Sequence, residues 1–85
     1  MISIEQFVKE RDEMLLKRSV PALRQFLEEH KECYPEGFIE GFRLVSDAVA
    51  EITLHKMIAN VTTLPKKYRV LSRLWLIVRG YSDEL

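Results

Sequence analysis

Three prolines, at positions 21, 35 and 65, each stand at the head of a run in which apolar residues return every three or four positions. Proline has no backbone N–H and a fixed φ, so it fits the first turn of a helix and disrupts the interior. It also pushes the residue before it out of helical geometry. The chain is therefore cut into separate helical segments joined by short connectors, which lay consecutive helices antiparallel. No stretch alternates apolar and polar residues as a half-buried strand does, and although Leu74–Val78 has a strand's composition, its flanks are helical. The expectation is an all-α fold, a compact bundle of about four helices, with residues 1–85 forming one helical domain.

The first helix opens at Ser3, where Ser3-Ile4-Glu5-Gln6 has the form of a capping box, and runs to about Lys17 with Ile4, Phe7, Val8, Met14 and Leu15 on one side. Arg11 falls inside that stripe, so its guanidinium must reach water or pair with a carboxylate; pairing with Asp or Glu is expected. Ser19 caps a second helix, with Pro21 in its first turn and Leu23, Phe26 and Leu27 on the core side, ending near Glu32. After the Tyr34-Pro35-Glu36-Gly37 break, Phe38, Phe42, Val45, Val49 and Ile52 define a third helix with Glu40, Arg43, Asp47 and Glu51 on its other side. Beyond Leu54 the added Met57 and Ile58 mean that this helix bends, ends early or is buried all round. Thr62 or Thr63 and Pro65 open the fourth, and Gly80 stops it, with Tyr81 positioned to close the last turn.

Apolar residues make up 47% of the 85 and charged ones 31%, a globular composition that allows one small core. Thirteen Lys and Arg balance thirteen Asp and Glu, which removes any whole-molecule argument for nucleic acid or an acidic membrane. The charge is uneven, however: residues 1–42 hold nine acids and six bases, and 43–85 hold four acids and seven bases. Cys33 is the only cysteine, so no internal disulfide forms, consistent with a reducing compartment. The first twenty residues carry eight charged side chains and the longest apolar run is five residues, against the roughly 20 that a bilayer-spanning helix needs. A cytoplasmic protein without a secretory signal is expected. The closing Ser82-Asp83-Glu84-Leu85 resembles a lumenal retention tail only by coincidence.

Chemistry-bearing constellations are few. Asp47, Glu51 and His55 form a row at four-residue spacing, which reads as a solvated face because no second ligand set converges on it. His30 and Cys33 lie three apart and supply only two local ligands; a buried Cys acting as a small apolar residue is the expected state. No phosphate-binding glycine loop, nucleophile elbow or H-E-x-x-H motif is present, and Gly37 and Gly41 read as close-packing positions. No enzyme activity, metal, cofactor or small-molecule substrate is inferred.

The fourth helix carries the informative excess. Leu64, Tyr68, Leu71, Leu74, Trp75 and Val78 fill a core face, yet Val70, Leu76 and Ile77 point elsewhere and need cover. Between Val61 and Ser82 there are five bases and no acid, and Lys66 and Lys67 occupy the first turn, where the helix dipole disfavours cations. Apolar residues beside aromatic and Arg side chains have the composition of a protein interface. The expected function is a small non-catalytic protein-interaction module, an adaptor or inhibitor. It acts through Arg69, Val70, Arg73, Trp75, Leu76 and Ile77, with another protein or a second copy of itself as partner. The alternative is a nucleic-acid-binding regulator using Lys66, Lys67, Arg69 and Arg73. Four charges on a neutral molecule supply only weak phosphate attraction, and a helix-turn-helix reading meets Phe38, Ile39 and Phe42 where base-reading side chains belong.

Phe7-Val8-Lys9-Glu10-Arg11-Asp12-Glu13 and His55-Lys56-Met57-Ile58, with Leu64-Pro65, Trp75-Leu76 and Arg79-Gly80-Tyr81-Ser82, resemble small uncharacterised single-domain helical proteins of Gram-positive bacteria and their phages or mobile elements. The likeness touches about half the chain, and the segment from Cys33 to Thr53 departs from it. It implies a bacterial or phage origin and carries over no site residue.

Overall fold

A computed structural model describes residues 2–85. Five α-helices follow in order: α1 (Ile4–Leu16), α2 (Val20–Glu29), α3 (Glu36–Leu44), α4 (Asp47–Asn60) and α5 (Lys66–Val78), with a 3-10 turn at Lys31–Cys33 between α2 and α3. No strand occurs among the described residues, and none of their helices is long and apolar enough to cross a membrane. The all-α expectation therefore holds, with five helices in place of about four.

The extra helix comes from a break inside the third segment. Val45 is extended (φ −79°, ψ 152°), and Ser46 caps α4 by accepting from the Val49 N–H at 3.3 Å. Arg24 of α2 holds this break from a distance. Its guanidinium donates to the Phe42 carbonyl at 3.0 Å and the Val45 carbonyl at 2.9 Å, and it pairs with Asp47 at 3.1 Å. One cation thus satisfies carbonyls that the end of α3 leaves without helical partners and ties them to the acid in the first turn of α4. Beyond the break the apolar pattern changes face. Phe38 and Val49 are substantially exposed, whereas Ile39, Phe42, Ala50, Leu54 and Ile58 are buried. Of the three expected outcomes for the later part of this segment, burial on most sides applies: α4 is the central helix, packing on α1, α2 and α5.

The other punctuation is local. Ser3 and Ser19 cap α1 and α2 through the Gln6 and Ala22 N–H groups. Arg18 ends α1 in the left-handed region at φ 51°, and Gly80 ends α5 at φ 81°. There the Gly80 N–H reaches the Ile77 carbonyl at 3.0 Å and the Tyr81 N–H reaches Leu76 at 2.9 Å, the paired bonds of a Schellman cap. The expected threonine cap at the start of α5 is not the observed arrangement. Pro65 occupies that position with no side-chain cap, and Thr63 instead donates to Asp12. Asp12 also pairs with Arg11 at 3.1 Å, the acid partner expected for that buried-stripe arginine. Ile4, placed on the core side by its spacing, is largely exposed.

Met14 and Leu15 of α1, Leu23, Phe26 and Leu27 of α2, Ile39 and Phe42 of α3, and Ala50, Leu54 and Ile58 of α4 form one core, closed at one end by Leu64. From α5 only Tyr68 packs against it, partly buried. Of the helices, α4 is the one on which α5 chiefly rests.

Candidate interaction surface

A helix held mainly by one neighbour has one obligatory buried face, and α5 spends it on Ser72 and Leu76, neither of which has any exposed surface. Leu64, Tyr68, Ser72 and Leu76 form the inward row at steps of four. Successive residues are about 100° apart on a helix, so the opposite side carries Val70, Leu71, Leu74, Ile77 and Val78 within an arc of about 120°. These five are 36%, 49%, 52%, 56% and 79% exposed. From Val70 onward the outermost face of α5 is thus apolar, the reverse of an ordinary surface helix. The patch is on the order of a few hundred Å², the size at which an exposed apolar area usually marks a binding site.

Relative to the expected site, Val70 and Ile77 lie on this face as anticipated. Leu76 is a correction: it is fully buried against α4 and leaves the contact set. Leu71, Leu74 and Val78, assigned to the core by spacing, are corrections in the other direction and join the face. The rotation has a physical cause in α4. His55 is buried there with its Nδ1 2.9 Å from Ser72 Oγ, and a buried imidazole requires such a partner. Ser72 is the one Ser or Thr inside α5, so satisfying His55 turns Ser72 inward and the leucines outward. That polar pair is the sequence signal for the true orientation.

Trp75, half-buried at the edge of α5, stacks on His55 with ring centroids 4.1 Å apart and an interplanar angle of 19°, and the Arg79 guanidinium lies 4.1 Å from the Trp75 ring centre. Burial holds the His55 pKa below its ordinary value; Arg18 and Arg79 push the same way while Glu51, 3.8 Å from Nε2, opposes them. Glu51, His55 and Ser72 fall in the order of a carboxylate–imidazole–hydroxyl relay. Ser72 has no surface for a substrate to reach, so the arrangement serves as a pin between α4 and α5.

The basic side chains divide. Lys66 and Lys67 are exposed at the start of α5, Lys67 with its ammonium 5.0 Å from the Tyr68 ring centre. Arg69 donates to the Leu64 carbonyl at 3.1 Å, and Arg73 pairs with Asp83 at 2.8 Å and reaches the Ala59 carbonyl at 3.3 Å. Two of the four anticipated phosphate contacts are thus engaged within the fold, Arg69 with the connector before α5 and Arg73 with α4 and the segment after α5. The Asp47–Glu51–His55 row does not converge: Asp47 turns to Arg24 and Glu51 to His55. Cys33 is exposed, which corrects its expected burial. Comparison with protein-family models, with curated proteins and with solved structures returns no match to this chain.

Proposed function

We propose that this chain is a small non-catalytic interaction module that works by self-association through α5, two copies pairing antiparallel about Leu74. The observation that carries the reading is the symmetry of the outward stripe. Val70, Leu71, Leu74, Ile77 and Val78 are spaced identically in both directions from Leu74, valine mirrors valine, and leucine mirrors isoleucine. A two-fold interface needs a self-complementary patch of this kind. Antiparallel pairing also answers the misplaced cations. Lys66 and Lys67 face the wrong end of their own helix dipole, and in the pair they meet the carbonyl-rich end of the partner's α5 and the Asp83–Glu84 segment beyond it. An adaptor or inhibitor role draws on the same apolar stripe and its Arg neighbours, and the sequence resemblance contributes only a bacterial or phage origin.

The test is the mass in solution, for which a value of twice 10.0 kDa is expected, followed by cross-linking. In a Cys33→Ser background, Leu74→Cys should oxidise to a disulfide-linked dimer, because the two copies of position 74 sit on the axis. Val70→Cys should not, its mirror position being Val78. Ile77→Asp should give a folded monomer. A monomer at every concentration, or cross-linking through position 70 and not 74, overturns the reading.

The nucleic-acid alternative draws its support from the exposed Lys66 and Lys67. It requires salt-sensitive retention on heparin that falls when Lys66 and Lys67 become Ala.

A further inference from the structure

The segment between α2 and α3 brings together the donor atoms of His30, Glu32 and Cys33, all within 4.8 Å of one another. The backbone is what gathers them. His30 precedes the 3-10 turn and Cys33 ends it, with the Cys33 N–H bonded to the His30 carbonyl at 2.9 Å. A 3-10 turn has three residues per repeat, so side chains three apart stand one above the other, and Glu32 is long enough to lean in beside them. The three differ in freedom: Glu32 and Cys33 are exposed, whereas the His30 imidazole is largely covered and lies among aromatic rings, 4.5 Å from Phe26 and 5.6 Å from Phe7 between centroids.

A second feature points the same way. Glu10 of α1 places Oε2 3.4 Å from His30 Nε2, and that oxygen is buried without a hydrogen-bond partner. A carboxylate against one imidazole nitrogen is the usual outer support of a histidine metal ligand, because it fixes the tautomer and leaves the other nitrogen's lone pair free.

We propose that His30, Glu32 and Cys33 form a binding site for a divalent metal ion of the zinc class, with Glu10 as the positioning residue behind His30. Imidazole, carboxylate and thiolate together are a donor set suited to a borderline ion such as Zn²⁺, and three protein ligands leave a coordination position open. Ligand atoms around a four-coordinate ion are about 3.4 Å apart at bond lengths near 2.1 Å, so the side chains close inward by roughly an ångström on binding, within the reach of two exposed rotamers. Coordination displaces the Cys33 thiol proton to solvent, so binding strengthens as pH rises. With Glu10 beside Nε2, the other ring nitrogen, Nδ1, is the one left to bind the ion.

Cobalt titration of the full chain under reducing, oxygen-free conditions tests this. One equivalent should produce a thiolate-to-cobalt charge-transfer band in the near ultraviolet together with visible bands of four-coordinate intensity, and Zn²⁺ should bleach both. Cys33→Ser should abolish the charge-transfer band without altering the circular dichroism. Glu32→Gln and Glu10→Gln should each weaken binding by about 10-fold or more. The site is refuted by absence of the charge-transfer band, by saturation at half an equivalent, which would place Cys33 of two chains on one ion, or by Glu32→Gln binding as tightly as the parent. His30→Gln, which loses aromatic contacts as well, is a supporting variant: a band unchanged in a folded His30→Gln protein also overturns the assignment.

Discussion

Arg18 is the one residue other than glycine with positive φ among those described. A side chain there crowds its own carbonyl at a cost of about 1–2 kcal/mol, offset in glycine by a floppier unfolded chain. Arg18→Gly should therefore stabilise the protein by a few tenths to about 1 kcal/mol in urea unfolding. His55 governs a second effect. Burial lowers its pKa in the folded state, so on acidification the unfolded chain takes up the proton first, near pH 6.5. Stability from this group is complete above that pH and falls as the pH drops below it, until the folded imidazole titrates as well. His55→Gln should remove that component of the stability–pH slope. Ser72→Ala, which strands a buried ring nitrogen, should cost about 1–3 kcal/mol at pH 7.

Helix ends were readable at Ser3, Ser19 and Gly80, though not at the threonines before α5 or at Ser46. Ser3, Ser19 and Gly80 each act on groups within a turn of themselves, and each does what its sequence position implies. The break at Val45–Ser46 was not readable, because Phe38, Phe42, Val45, Val49 and Ile52 keep helical spacing straight through it and the residue that stabilises it, Arg24, lies on another helix. Arg24→Met should thus be far more damaging than an ordinary surface change. It unpairs two carbonyls and Asp47, and a loss of about 1.5–3 kcal/mol is expected in chemical denaturation. Ser46→Ala should cost about 1 kcal/mol, and the Arg24→Met, Ser46→Ala double variant should fall short of additivity, since both act on the same junction.

For the molecule as a whole, helical class and approximate element count follow from periodicity, but the facing of α5 does not. Apolar residues surround enough of that helix to offer two plausible core sides, and the choice is made by a single buried hydrogen bond to α4. If two copies pair through the stripe, the melting temperature must rise with protein concentration, whereas Ile77→Asp should melt at one temperature throughout a dilution series. In an unpaired copy, α5 rests chiefly on one neighbour, whereas α4 is packed by α1, α2 and α5, so the backbone amides of α5 should exchange with deuterium sooner than those of α4. The exposed apolar stripe then rides on a helix held chiefly by one neighbour. Gentle warming of a concentrated solution of the Arg73→Ala protein, which lacks the Asp83 tether, should turn it cloudy while far-ultraviolet ellipticity is still nearly intact, so that clumping precedes melting.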